Sequence, residues 1–109
     1  MNIHHAWIYA VMLLIWPMGG YSETLKAGSL VCESREIYHQ MREAIRRNDQ
    51  HGIDWLMKHG CIYTSRKLPV SILWESEDPL DTDQEIRVYI GDESFVLWTY
   101  MDNTAAFGQ

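Results

Sequence analysis

The pattern of hydrophobic and polar positions divides the chain into sections of different periodicity. Residues Ala6–Trp16 form an unbroken apolar run inside a stretch, Asn2–Gly20, that carries no charged side chain. A short apolar run, Gly28–Cys32, comes later and predicts a first strand. Residues 33–60 then place apolar side chains at helical spacing, and residues 61–100 show short alternating runs that are typical of strands. The pattern predicts an apolar leader, one strand, a pair of helices and then several strands.

The leader has the features of a secretory signal peptide. Its apolar run ends at Pro17, and the small residues Gly20 and Ser22 then flank Tyr21, which is a pattern that signal peptidases accept. We therefore expect cleavage after Ser22, which leaves a domain over residues 23–109. The alternative is a retained membrane anchor, but the run is shorter than the roughly 20 residues needed to span a bilayer.

The helical section predicts two helices joined by a tight turn. Ser34 is a suitable N-cap for a helix over Arg35–Arg47, and Asp49 is a suitable N-cap for a shorter second helix. Gly60 lies where a helix C-terminus favours glycine. The apolar face of the first helix is formed by Ile37, Met41, Ala44 and Ile45. The two helices are expected to pack as a hairpin through such faces.

The remaining section predicts short strands with tight turns. Pro69 opens a strand in which Val70, Ile72 and Trp74 share one face, so Trp74 is expected to be buried. Residues 75–84 form an acidic loop around Pro79, and alternation then predicts a half-buried strand through residue 90. A last strand, Phe95–Tyr100, follows a turn, and the tail beyond it is expected to be loose. Strands of this kind with one helical pair predict an α+β fold in which the sheet curls into a small barrel.

Cysteine and charge usage limit the possible functions. Two cysteines, Cys32 and Cys61, allow one intramolecular pairing, and in an oxidising compartment we expect a structural disulfide. The alternatives are two buried thiols or a redox pair, although a C-x-x-C motif is absent. The formal net charge of −6 argues against nucleic acid and anionic lipid as partners.

The order of these motifs resembles a known class of protein. The motifs are Gly-Ser-Leu-Val-Cys at 28–32, Gly-Cys at 60–61, Pro-Val-Ser-Ile-Leu at 69–73, Ile-Arg-Val-Tyr-Ile at 86–90 and Leu-Trp-Thr at 97–99. Together they resemble small exported bacterial proteins that have an SH3-like barrel with a two-helix insertion after the first strand. The resemblance implies a periplasmic or secreted binding role. The chain lacks the Asn-Val-Arg-x-Gly-Pro opening of better-known bacterial SH3 domains, so their ligand sites are not carried over.

Motifs for metal binding and catalysis are weak. His51, His59 and Cys61 match no standard zinc spacing, and Cys61 is expected in the disulfide. The segment Asp81–Ile86 lacks the glycine of a calcium-binding EF-loop. Paired acids for glycoside hydrolysis would need a cleft, which a domain of this size rarely forms. We therefore expect no metal, no cofactor and no enzymatic activity.

Aromatic residues beside the acidic loop are the strongest remaining candidates for a binding site. Trp98 and Tyr100 share one face of the last strand, and Asp78, Asp81 and Asp83 lie in the loop. Aromatic side chains are favoured at interfaces. The leading hypothesis is an envelope binding module whose partner is a protein or a cell-wall polymer. An inhibitor or immunity protein against a toxin or lytic enzyme is the second hypothesis, and a small hydrolase is the third.

Overall fold

The computed structural model describes residues 23–106, which form two helices and one curled antiparallel sheet. The proposed signal peptide, residues 1–22, lies outside the described residues. The strands are β1 (Glu23–Leu25), β2 (Leu30–Cys32), β3 (Cys61–Tyr63), β4 (Leu68–Glu75), β5 (Asp83–Ile90), β6 (Glu93–Tyr100) and β7 (Thr104–Ala106). The helices are α1 (Arg35–Arg46) and α2 (Gln50–Lys58), and a 3₁₀ turn covers Met101–Asn103. Neighbouring strands follow the order β3-β2-β6-β5-β4-β1-β7, so that β3 and β7 are the two edges.

The helical hairpin forms as its caps predict. The Ser34 hydroxyl accepts a hydrogen bond from the Ile37 amide, and the Asp49 carboxylate accepts one from the Gly52 amide. Asn48 turns the chain between the helices with a φ of 55°, a left-handed conformation that asparagine tolerates better than most residues. The predicted helix starts are therefore confirmed, and α1 ends one residue earlier than expected.

The disulfide between Cys32 and Cys61 is present and lies between adjacent strands. These residues are directly opposite each other in β2 and β3, with a Cα–Cα distance of 4.1 Å. Such closeness is typical of an antiparallel pair that shares no backbone hydrogen bonds. Both half-cystines are buried against the helices. The bond therefore closes the segment that contains the whole hairpin.

The sheet has an apolar cluster on each face. Inside the curl, buried side chains from four strands form the inner cluster, which consists of Leu25, Val31, Leu68, Val70, Ile86 and Val88. On the outer face, the helices cover the helix-side cluster of Cys32, Tyr38, Met41, Ala44, Leu56 and Cys61. Leu97 packs on the inner cluster and Trp98 on the helix-side cluster. Successive residues of β6 thus point to opposite faces, and both faces are covered here, as the apolar sequence of this strand requires.

Several details differ from expectation, among them Asp83 and Gln84, which belong to β5 rather than to the acidic loop. The predicted first strand is β2, because β1 precedes it and pairs with both β4 and β7. The tail expected to be loose continues into β7 at least to Ala106. Trp74 is 39% exposed rather than buried, because the register shifts between Ile72 and Trp74. A bulge at this point interrupts the alternation on which the prediction relied.

Candidate binding surface

Three basic side chains of α1 converge on the outer face of the sheet. Arg35, His39 and Arg42 follow each other at spacings of four and three residues, which places them on one side of the helix. The residue of the sheet that faces these three side chains is Asp83, the first residue of β5. All three side chains make a polar contact with its carboxylate. We call these four residues the Asp83 cluster.

Asp83 is a buried anion with several hydrogen-bond donors. Its side chain is only 2% exposed, whereas those of Arg35 and Arg42 are 41% and 50% exposed. The Oδ2 atom accepts a 2.9 Å hydrogen bond from Arg35 Nε and a further bond from His39 Nε2. The Oδ1 atom accepts a 3.3 Å bond from Arg42 Nη1. Such donors compensate the cost of removing a carboxylate from water.

The electrostatics of the cluster keep Asp83 ionised. Burial raises its pKa, but the hydrogen bonds from His39 and Arg35 and their charges outweigh burial, so the pKa lies below its ordinary value. The hydrogen bond to Asp83 likewise raises the pKa of Arg35. Nearby, burial raises the pKa of the Tyr38 hydroxyl to about 12. The Cζ atom of Arg42 lies 5.6 Å from the centroid of the Tyr38 ring. Asp83 and Arg35 are therefore both charged at neutral pH, and the Tyr38 hydroxyl is neutral.

Asp81 and Asp78 organise the loop that leads into β5. Arg35 Nη2 donates a 2.9 Å hydrogen bond to Asp81 Oδ2, while Asp81 Oδ1 accepts from the Asp83 amide at 3.0 Å. The Asp78 carboxylate accepts a 2.9 Å hydrogen bond from the Leu80 amide. Arg35 therefore bridges Asp81 and Asp83 and attaches the loop to α1.

Two neighbouring aromatic rings lie against the Arg35 guanidinium. The Cζ atom of Arg35 lies 4.9 Å from the ring centroid of Trp74 and 5.5 Å from that of Trp98. The two indoles are 5.7 Å apart and inclined at 54°. Tyr100 pairs with Asp83 across β5 and β6 and is 38% exposed. We call Arg35, Trp74, Trp98 and Tyr100 the aromatic–arginine surface.

The predicted site residues fall into two groups. Trp98, Tyr100, Asp81 and Asp83 come together around Arg35, whereas Asp78 is engaged in the loop turn. Trp98 is half-buried beneath Arg35, so Tyr100 is its more exposed neighbour on this face. Sequence reasoning did not identify the contributions of Arg35, His39, Arg42 and Trp74. The basic spacing along α1 was a detectable signal, but nothing in the sequence indicates that its counter-ion is Asp83.

Other polar and aromatic residues that the sequence singled out have local partners. His59 stacks on Trp55 with ring centroids 4.1 Å apart, and its Nδ1 contacts the Trp55 carbonyl oxygen. Cys61 is held in the disulfide. Over residues 23–106, no three His, Cys, Asp or Glu side chains are grouped as metal ligands. In the same range, no helix has the length and apolar character needed to cross a bilayer.

Comparison with known proteins yields no relative. The sequence matches no protein-family model, no curated protein and no solved structure.

Proposed function

We propose that the chain is an exported, non-catalytic binding module of the bacterial envelope, with an SH3-like barrel and a ligand that is a protein or a cell-wall component. The observation that carries this proposal is the aromatic–arginine surface. Trp74 and Tyr100 are each more than a third exposed beside an arginine that a buried carboxylate holds in place. Tryptophan, tyrosine and arginine are the residue types that contribute most to binding interfaces.

Rigidity supports a binding role for this surface. Arg35 is restrained by two carboxylates and lies against two indole rings, so little side-chain freedom is left for a ligand to remove. Ordering flexible side chains costs about 0.5–1.5 kcal/mol each on binding. A surface that is already ordered retains more of its interaction free energy as affinity.

The lowered pKa of Asp83 favours binding over catalysis. A glycosidase needs one carboxyl group whose pKa is raised, so that it can donate a proton at neutral pH. The pKa of Asp83 is lowered instead, and Asp81 shares the Arg35 guanidinium with it. These two carboxylates serve to position Arg35.

Export is supported by the apolar leader and the disulfide together. Residues 1–22 have the composition of a signal peptide, and the Cys32–Cys61 bond is of the kind that persists in oxidising compartments. We place the mature domain at residues 23–109, in the periplasm or outside the cell. Intact mass of the exported protein should correspond to a chain that begins at Glu23, and a product that retains residues 1–22 would contradict this assignment.

A binding assay with matched tryptophan variants tests the surface. Oxidised residues 23–109 are incubated with purified peptidoglycan and, separately, with chemically cross-linked envelope proteins. Trp74→Ala and Tyr100→Ala should each reduce retention about tenfold or more. Trp55→Ala is the control, because Trp55 is 56% exposed on α2 and is not part of the surface. Equal retention of all three variants would show that the aromatic–arginine surface does not bind the ligand.

A protruding loop gives one observation in favour of an inhibitor, the second candidate. Leu80 is 90% exposed at the tip of the acidic loop, and hydrogen bonds to Asp78 and Asp81 brace the turn around it. An apolar tip with acidic flanks suits insertion into the cleft of a basic lytic enzyme. Leu80→Ala should then abolish inhibition of a cell-wall hydrolase without changing stability, while Trp74→Ala leaves inhibition intact. The opposite pattern would favour the aromatic–arginine surface.

A further inference from the structure

A second surface lies at the edge of the sheet that β3 forms. This strand pairs with β2 on one side, and no other strand of residues 23–106 lies on its other side. The hydrogen-bond pattern identifies which peptide groups face outward. The Thr64 amide donates a hydrogen bond to the Ser29 carbonyl oxygen, and the Gly60 carbonyl oxygen accepts one from the Glu33 amide. The N–H and C=O groups of the even-numbered residues of this segment therefore point toward β2. The N–H and C=O groups of Cys61 and Tyr63 consequently point away from β2, but Cys61 is only 2% exposed, so the accessible groups are those of Tyr63.

The side chains along this edge are apolar and exposed. Ile62 is 57% exposed and Tyr63 is 49% exposed. Ile62 is opposite Val31, which belongs to the inner cluster, so Ile62 lies on the concave face and still remains open to solvent. A groove of about 280 Å³ adjoins it and includes Met57 and Leu97 in its lining. At Ile62 and Tyr63 the edge therefore combines outward peptide groups with an exposed apolar surface.

Basic residues flank both ends of the edge, although the protein as a whole is acidic. Lys58 ends α2 and lines the groove beside Ile62. At the other end, Arg66 follows the strand. The Thr64 hydroxyl donates a hydrogen bond to the Lys26 carbonyl oxygen, which places the turn containing Lys26 at this end as well. All three basic residues are exposed. Glu33 is the neighbouring carboxylate, with its side chain beside Gly60.

We propose that the β3 edge binds an extended acidic segment of a partner protein, which adds to the sheet as a further strand. Peptides that dock in this way obtain affinity from main-chain hydrogen bonds and specificity from alternate side chains. Here the outward N–H and C=O groups of Tyr63 would supply the main-chain hydrogen bonds, and Ile62 would contact an apolar side chain. Lys26, Lys58 and Arg66 would attract carboxylates at the ends of the segment.

The charges decide between an acidic partner and a second copy of this chain. Pairing two β3 edges would bring the lysines and Arg66 of one protomer close to those of the other, which is repulsive. An acidic peptide has no such conflict. This surface is separate from the aromatic–arginine surface, so the inference does not depend on the proposed function.

Three synthetic peptides test the proposal with the oxidised domain, residues 23–109. The first is a nonapeptide of alternating glutamate and valine. The second replaces every glutamate with lysine, and the third is the first peptide with N-methyl groups on alternate residues. In ¹⁵N NMR titrations, only the first should shift the amide signals of residues 61–64 saturably, and its affinity should fall with added salt. Equal binding of the lysine or N-methylated peptide would overturn the proposal, as would the absence of binding.

Matched isoleucine variants make the test specific to the edge. Ile62→Asp should weaken binding of the first peptide at least tenfold, and Arg66→Glu about threefold to tenfold. Ile45→Asp is the control, because Ile45 is an exposed isoleucine of α1. Thermal melts confirm that each variant is folded. Shifts confined to Trp74 and Tyr100 would contradict this inference while supporting the proposed function, and concentration-dependent dimers in sedimentation that Ile62→Asp abolishes would show that a second copy occupies the edge.

Discussion

Arg35 donates a 2.9 Å hydrogen bond from Nε to Oδ2 of Asp83, and this contact joins the first turn of α1 to the first residue of β5. The two residues are separated by 48 positions in the chain. The contact therefore fixes the hairpin against the sheet at a place where the sequence offers no local connection. Because Asp83 is buried, its removal should affect stability more than that of an exposed ion-pair partner.

Asp83→Asn should lower the free energy of unfolding by about 2–3 kcal/mol. Removing one partner of a buried ion pair costs about 3–5 kcal/mol, and the half-exposed arginines can recover part of this by turning toward water. Urea denaturation of the oxidised domain measures the difference. Asp81→Asn is the control, because Asp81 is more exposed than Asp83 and should cost less than about 1 kcal/mol. Equal losses in the two variants would show that burial of Asp83 has no special effect.

Stability should fall in acid because of the same carboxylate. The pKa of Asp83 is lower in the folded domain than its ordinary value of 3.8, to which it returns on unfolding. Its stabilising contribution is therefore complete at pH values well above 3.8, decreases as the pH falls past that value, and is lost once the pH falls through the lower folded pKa. Unfolding free energies of the native domain and Asp83→Asn should converge across this window. Parallel curves would contradict the assignment.

The disulfide should contribute more to stability than any single ion pair. Cys32 and Cys61 are 29 positions apart, and a loop of this length gives about 3–4 kcal/mol in the chain-entropy treatment. The double substitution Cys32→Ser and Cys61→Ser also places two hydroxyls in the helix-side cluster. We expect a fall in the thermal midpoint of more than about 10 °C, measured by circular dichroism. A matched measurement on the reduced native chain separates the loss of the bond from the added hydroxyls.

The helical hairpin and its disulfide were predictable because local rules determine them. Ser34 and Asp49 act as caps through hydrogen bonds that span three residues, and such local contacts can be predicted from the sequence. The pairing of Cys32 with Cys61 required no geometry, since two cysteines have one possible bond. The alternating strand through Ile86 and Val88 was equally local.

The Asp83 cluster and the short strands β1 and β7 were not predictable, because contacts between distant parts of the chain determine them. In the sequence, Asp83 is one of several acidic residues of the predicted loop, and only the tertiary fold places it beneath Arg35. Similarly, β1 and β7 have three residues each and too little pattern to be recognised. They form because each pairs with a distant part of the chain.

The two tryptophans beside Arg35 should respond differently to truncation. Trp98 packs on the helix-side cluster, so Trp98→Ala should remove buried contacts and cost about 2–3 kcal/mol, which is below the 3–5 kcal/mol of a fully buried tryptophan. Trp74 lies after the bulge and is 39% exposed, so Trp74→Ala should cost less than about 1 kcal/mol. Urea denaturation distinguishes the two. If Trp74→Ala unfolds the domain, its ring is part of the core, and its loss of binding would report misfolding rather than a missing contact. If it remains folded and binding is lost, the exposed indole acts as a ligand contact, while Trp98 supports Arg35 from beneath.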